Sequence, residues 1–306
     1  MTVLGEAQPT IKFSIVTPTF NAEKYLAQTI ASVIGQQGDF DIEYIIVDNE
    51  STDRTLGIVE EYLARMGRIN SDRQAGHVSL SLVCKKDRGM YEGINRGFSI
   101  ADGDLFAWIN ADDLYLPGAF EKVAQVFAAM PQVKWLKGIT SYIDEQGRSL
   151  SAGKCYLYAQ ELIRRGLYGR EAYFIQQDSV FWRAALWRNA GGLNETFRLA
   201  GDYELWMRFA EREALYTLNS PVSCFRKASG QLSENMANYR EEQQRIERPC
   251  SLHDMCLRGF FKLVEPRLPD WLDSLVFRVF CPFTSLHLVD GNSGHVHVRK
   301  SFKYKV

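Results

Sequence analysis

At 306 residues the chain can bury a substantial core, as one large domain or one domain with an appendage. Its 36 basic and 37 acidic residues leave a formal charge of -1, which argues against a non-specific nucleic-acid binder, and no nucleic-acid partner is expected. A hydrophobic content of 46% argues against disorder, no run reaches the about 18 uncharged apolar residues of a membrane span, and Met1 to Lys12 lacks the apolar stretch of a signal peptide.

Ile11 to Val16 reads as a first strand that exits into Thr17-Pro18-Thr19-Phe20-Asn21, with Asn21 placed to cap a helix carrying Leu26, Ile30, Val33 and Ile34. Ile42 to Val47 is rich in β-branched residues, as expected of a parallel strand covered on both faces. A helix with Leu56, Val59 and Leu63 follows, then a polar loop from Gly67 to Gly76 and a third strand from Leu80 to Cys84. Glu92 to Ala101 predicts a short helix, Leu105 to Ile109 a buried strand, and Pro117 to Met130 a helix stopped by Pro131. Three or four βα units by residue 131 predict a layered α/β sheet.

The second half is less regular. Val133 to Ile143 suggests two strands around Lys137-Gly138, and Asp144 to Gly147 a hairpin turn. Val180 to Trp182 is a short strand, Arg183 to Ala190 a helix closed by Gly191-Gly192, and Glu204 to Ala210 a further helix. Val222 to Phe225 reads as a strand and Gly230 to Arg248 as loop plus helix. Beyond Pro249, Leu252 to Val264 and Leu272 to Val279 resemble amphipathic helices, and Val289 to Val306 is short-stranded and basic. That cation- and aromatic-rich tail suits a peripheral contact with an anionic membrane, a cap on the catalytic domain or a homodimer contact. Six cysteines without a Cys-x-x-Cys pair suit reduced thiols in a cytoplasmic protein, and His295 with His297 make only two ligands, a poor metal site.

The chemistry gathers where strands end. Asp48, Asp87, Asp112 and Asp113 each follow a strand, which in an open α/β sheet suggests one shared crevice. Two adjacent carboxylates there suit a hard divalent cation that holds a phosphate, although an acidic strand-to-helix turn has the same spelling. The first strand lacks the Gly-x-Gly-x-x-Gly turn of a dinucleotide site, and the chain has neither a P-loop nor a Gly-x-Ser-x-Gly nucleophile turn.

Taken together, Thr17-Pro18-Thr19-Phe20-Asn21, Val47-Asp48-Asn49-Glu50-Ser51-Thr52-Asp53, Asp87-Arg88-Gly89-Met90-Tyr91 with Asn95-Arg96-Gly97, Asn110-Ala111-Asp112-Asp113 and Gly201-Asp202-Tyr203-Glu204-Leu205-Trp206 resemble glycosyltransferase family 2 over about residues 11 to 230. The resemblance implies a GT-A fold: a mostly parallel, Rossmann-like layered sheet flanked by helices, with a C-terminal extension. It places a GT-A domain at 1–240, its nucleotide-sugar half at about 11–131 and its acceptor half at about 132–240, with a helical and short-strand extension at 241–306. Thr17 and Pro18 would line the nucleotide end, Asp48 would hydrogen-bond the base, and Asp87 with Arg88 would flank the nucleoside. Asp112 would meet Mg2+ or Mn2+ on the diphosphate, with Asp113 in support, and Asp202 would be the general base of an inverting transfer.

Two departures stand out. Asn110, beside Ala111, takes the place of the first Asp of Asp-x-Asp and can bond ribose or water but brings no charge, and Gly201 replaces the acid that commonly precedes the base. Arg226, ahead of Gly230-Gln231-Leu232-Ser233, is a candidate diphosphate contact, and Tyr91 and Trp206 are candidates to face a sugar. The implied function is transfer from a nucleotide-sugar, a UDP-sugar above all, to a saccharide or lipid-linked saccharide in surface polysaccharide synthesis, in the cytoplasm or on the inner face of the plasma membrane. The alternatives are a carbohydrate-binding protein on a decayed transferase fold, and a nucleotidyltransferase.

Overall fold

The computed structural model describes residues 10–169, 173–231, 235–246, 251–260, 279, 286–292 and 295–301. The first half runs β1 (Ile11–Thr19), α1 (Leu26–Ile34), β2 (Phe40–Asp48), α2 (Thr55–Leu63), α3 (Met66–Ser71), β3 (Val78–Cys84), α4 (Met90–Ile100), β4 (Leu105–Trp108), β5 (Leu114–Tyr115) and α5 (Ala119–Ala129). The chain continues through β6 (Trp135–Ile143), β7 (Ser149–Ser151), α6 (Gln160–Arg164), β8 (Val180–Arg183), α7 (Ala184–Ala190), α8 (Gly201–Ala210) and β9 (Leu215–Arg226). Helices α9 (Met236–Ile246) and α10 (Leu252–Gly259) and strands β10 (Leu286–Asn292) and β11 (His295–Ser301) follow.

One sheet collects the strands in the order β11-β10-β9-β6-β8-β4-β1-β2-β3, with β5 off β9 and β7 off β6. Strands β4, β1, β2 and β3 are parallel, and β8 runs antiparallel to both its neighbours, β4 and β6. Strand alternation explains why both faces are covered. Phe13, Ile15, Ile42, Tyr44 and Ile46 point into one apolar layer under α1 and α5, while Val16, Ile45, Val47 and Trp108 point into the other under α4, α7 and α8.

The second layer positions the site through tryptophans. Trp206 on α8 stacks against Trp108 of β4 at 5.8 Å and against Trp135 of β6 at 5.7 Å, and Trp182 of β8 meets Trp108 edge-on at 5.4 Å. Helix α8 is therefore nailed to the middle of the sheet four residues past Asp202, on the same helical face.

Several expectations need correction. Asn21 caps no helix: it adopts a left-handed φ of 48°, its Oδ1 accepts from Thr52 N at 2.9 Å, and α1 begins only at Leu26. The polar 67–76 stretch contains most of α3, which packs Met66 and Ile69 against the core and bonds Asn70 to both the N–H and the C=O of Val78. The expected pair of strands in 133–143 is one strand, Trp135–Ile143, with an irregular register against β9 near Gly138, where a Cβ would strike the Val222 side chain. Strand β9 is twelve residues long, its first half hidden from a periodicity reading by Asn219-Ser220-Pro221. The hairpin at 144–147 and the helix stop at Gly191, with φ +79°, are as expected.

The C-terminal strands join the same sheet, because β10 runs parallel to β9 and pairs with β11. The expected domain boundary at 240 falls inside α9. Residues 261–278, 302–306 and 232–234 lie outside the described residues, and with them the amphipathic segment 272–278, Lys303, Lys305, Leu232 and Ser233. No helix among the described residues is long and apolar enough to cross a membrane.

Candidate active site

The crevice is built where β1, β2, β3 and β4 end. Asp48 closes β2 and is fully buried. Its oxygens accept from Ser51 N (2.7 Å), Ser51 Oγ (2.6 Å), Thr19 Oγ1 (2.7 Å) and the Cys84 thiol (3.9 Å). Those four donors use the lone pairs of a carboxylate, so contact with a base requires Asp48 to exchange one of them. Thr17 is buried in the core layer and accepts from the Tyr44 hydroxyl at 2.9 Å, whereas Pro18 is half-buried.

Asp87 joins this corner through Asn49, whose Oδ1 accepts from Asp87 N at 2.8 Å. Its own Oδ1 accepts from Gly89 N at 2.9 Å, and burial pushes the carboxyl up. Gly93 lets α4 lie close to this corner: a Cβ there would stand 3.0 Å from the Asp87 carboxylate, tight enough to push that side chain by a few tenths of an ångström. Arg88 faces elsewhere, its exposed guanidinium bridging Glu92 (2.8 Å) and Glu195 (2.7 Å) across the seam between α4 and the loop before α8.

The acidic turn after β4 separates its two carboxylates. Asp112 is half-buried: its Oδ2 accepts from Gln231 Nε2 at 2.6 Å, and its Oδ1 carries no hydrogen bond among the described residues. Asp113 is fully buried: its Oδ1 accepts from Arg226 N at 2.9 Å and its Oδ2 has no partner. Burial, with Asp112 and Asp178 alongside, pushes the Asp113 carboxyl well up and favours its neutral form. Asp113 was expected beside the cation; the structure puts it inside the protein. Asn110 presents an Oδ1 without a partner, and the Ala111 carbonyl accepts from Thr29 Oγ1 at 2.9 Å.

Arg226 is likewise buried and already engaged. It donates to the Asp112 carbonyl (2.8 Å), the Asp144 and Glu145 carbonyls (3.2 and 3.3 Å) and Gln28 Oε1 (2.8 Å), with its guanidinium 4.4 Å over the Tyr25 ring. These bonds use four of its five guanidinium N–H groups and tie the acidic turn to the 144–147 hairpin. Behind it lies a buried polar layer that no sequence pattern revealed. Asp178 accepts from Ser223 Oγ, and burial pulls the Lys137 amine down to about 8.

The residues fit a cation that arrives with substrate. Among the described residues no three His, Cys, Asp or Glu groups form a cage, but Asp112 offers one uncommitted carboxylate oxygen and Asn110 one unpartnered amide oxygen at the same turn. Magnesium and similar ions are held in this way, by one or two carboxylates plus substrate phosphates.

Asp202 stands in the first turn of α8, its Oδ1 accepting from Tyr203 N (2.8 Å) and the Tyr239 hydroxyl (3.4 Å). It borders a small pocket walled by Tyr168, Phe174, Tyr203, Trp206 and Tyr239. Burial pushes its carboxyl up to about 6, against those two hydrogen bonds, which favour the charged form. Tyr91, from the donor-side motif, donates to Leu199 O (2.7 Å) and accepts from Gly201 N (2.9 Å). It thus ties the 87–97 segment to the start of α8. That contact explains Gly201, because a Cβ there would lie 2.5 Å from the Tyr91 ring. Tyr91 and Trp206 are 3% and 2% exposed, so both serve chiefly as core. Gln231, Tyr239 and Glu242 reach the site from beyond the recognisable motifs, and only Gln231 lay in a segment the sequence singled out.

A sequence model of glycosyl transferase family 2 matches residues 14–190, and the chain belongs to that family. It is a glycosyltransferase with a GT-A fold. An uncharacterized glycosyltransferase of Rickettsia typhi is 23% identical over 239 residues, 76% of this chain and 69% of that protein. Chondroitin synthase of Escherichia coli is 24% identical over 65% of this chain, which spans only 26% of that enzyme. Among solved structures, residues 1–349 of Staphylococcus aureus TarS in complex with UDP-GlcNAc superpose with a TM-score of 0.57 at 18% identity, covering 89% of this chain and 72% of that one. The mannosyltransferase PcManGT of Pyrobaculum calidifontis, in complex with GDP-Man and Mn2+, gives 0.57 at 14% identity over 89% and 74%.

Proposed function

We propose that this chain is an inverting, cation-assisted transferase that moves a sugar from a nucleotide-sugar, a UDP-sugar first, to a saccharide or lipid-linked saccharide acceptor in surface polysaccharide synthesis. The observation that carries the reading is Asp202. It is a carboxylate with two hydrogen bonds, poised near pH 6 at the mouth of an aromatic pocket and tied through Tyr91 to the donor-side motif.

In the reaction the acceptor oxygen forms a bond to the anomeric carbon as the bond from that carbon to the diphosphate oxygen breaks. The acceptor proton passes to Asp202, whose proton affinity is matched to work near neutrality. Mg2+ or Mn2+ held by Asp112, with Asn110 beside it, would supply positive charge to the departing diphosphate. Arg226 keeps the turn that presents Asp112 in place.

The test is nucleotide release from UDP-, GDP- and dTDP-sugars with and without Mn2+ or Mg2+, followed by ligand-detected binding of each nucleotide. Release from one donor, dependent on the ion and lost in Asp112→Ala, is the expected result. Neither release nor binding of any nucleotide would overturn the proposal.

A further inference from the structure

Helix α8 begins without a cap of its own. Its N-cap residue is Ala200, which has no side-chain acceptor, and residues 198–200 precede it with their N–H groups pointing inward. A carboxylate from elsewhere meets all three. Glu242 of α9, only 7% exposed, accepts from Arg198 N, Leu199 N and Ala200 N, each at 2.8 Å. Three successive amides converging on one anion form a nest, and here the anion is part of the protein. Tyr91 holds the same loop from the donor side, through Leu199 O and Gly201 N.

We propose that Glu242 is a positioning residue for the transfer, holding the 198–200 loop so that Asp202, in the first turn of α8, faces the acceptor hydroxyl. The proposal rests on the reading of Asp202 as the base. Its geometry has a direct consequence, since Asp202 and Glu242 are two carboxylates at one helix start. The groups facing Asp202 are Tyr91 from α4, Tyr239 and Glu242 from α9, Tyr203 from its own helix and Tyr168 across the pocket. None of these is a cation. The negative charge of Glu242 raises the proton affinity of Asp202, and the hydroxyl of Tyr239 lowers it. Helix α9 thereby fixes where the base sits and helps set the pH at which it works.

The experiment uses the full chain with 13Cγ-labelled aspartate. The Asp202 resonance is assigned by its loss in Asp202→Asn and titrated in wild type, Glu242→Gln and Glu242→Ala. Glu242→Gln keeps the size of the side chain and so remains informative if Glu242→Ala fails to fold. The expected result is a titration midpoint for Asp202 displaced to lower pH in Glu242→Gln. With the donor that wild type hydrolyses, kcat should fall about 10-fold or more and donor KM should stay within about 2-fold, because the base and not the donor site is disturbed. The acid limb of the rate profile should move down with the midpoint.

An unmoved Asp202 midpoint in a folded Glu242→Gln overturns the proposal, including the case in which the rate falls equally at every pH, which is what a purely structural role would give. If wild type hydrolyses no donor while the midpoint still moves, the transferase reading fails and the link from Glu242 to Asp202 stands.

Discussion

Asp112 and Asp113 are neighbours in the chain with opposite surroundings, and replacing each by Asn separates their roles. Asp112→Asn replaces a half-buried carboxylate, one oxygen of which carries no hydrogen bond among the described residues, by a neutral amide. Loss of a group that stabilises the leaving charge costs about 10²–10³ in rate, equivalent to about 2.7–4 kcal/mol. Asp113→Asn should behave differently. Its side chain is fully buried, and burial already favours the neutral acid, which an amide matches in charge and shape. The amide oxygen can keep the hydrogen bond from Arg226 N, so at pH 4, where the native acid is neutral, the stability change should stay within about 1 kcal/mol, or about 2–4 °C in Tm.

The sign with pH follows from linkage. The native protein binds the Asp113 proton more tightly than the unfolded chain, so wild type loses this contribution to stability as pH rises above the unfolded carboxyl value towards the folded one. Relative to wild type, Asp113→Asn should therefore gain in Tm between pH 4 and pH 8. The assay is donor hydrolysis over a Mn2+ titration, with calorimetric melts at both pH values. Turnover in Asp113→Asn within about 3-fold of wild type corresponds to less than about 0.7 kcal/mol. If Asp113→Asn loses activity as deeply as Asp112→Asn while Tm holds, Asp113 reaches the ion and the burial argument is wrong.

Three further outcomes are expected. Asp202→Asn should abolish transfer to an acceptor while leaving nucleotide affinity within about 3-fold, since no donor contact is removed; in wild type kcat/KM should rise with pH through about 6, as the raised carboxyl of Asp202 loses its proton. Tyr239→Phe removes a hydrogen bond to the charged form of Asp202, so that acid limb should move to higher pH, and a downward move would contradict the assignment. Gly201→Ala puts a Cβ against the Tyr91 ring and should cost about 1–3 kcal/mol in a denaturant melt, with a rate loss that Tyr91→Phe alone does not reproduce.

Much of the fold is legible in the chain because local pattern and global architecture agree there. Ile42 to Val47 is continuous and β-branched since parallel strands are covered on both faces, and Leu26, Ile30, Val33 and Ile34 repeat every helical turn since α1 lies on that sheet. The same pattern reading failed at β9, where Asn219-Ser220-Pro221 interrupts the apolar alternation inside a strand held by partners on both sides. It failed at Asn21 too, whose amide serves the 51–52 turn, a partner 31 residues away.

Site chemistry divides along the same line. Residue type and position at strand ends marked Asp48, Asp87, Asp112 and Asp113, because carboxylates at the carboxyl edge of a parallel sheet converge on one crevice whatever the loops do, whereas Asp202, in the first turn of α8, was marked only by the family resemblance. What each carboxylate does there depends on donors brought from far along the chain. Asp48 is saturated by Thr19 and Ser51, Asp113 is sealed against Arg226, and Asp112 keeps an oxygen free. Arg226 was marked for a phosphate, and tertiary structure commits it to carbonyls 82 and 114 residues away.

The sequence by itself determined the layered sheet, the family and the acidic crevice, since these follow from short-range periodicity and from motifs a few residues long. Only the tertiary structure decided which carboxylates stay open, why residue 201 is glycine and how α9 reaches Asp202. Burial and hydrogen-bond saturation are set by groups distant in sequence, and no local spacing encodes them.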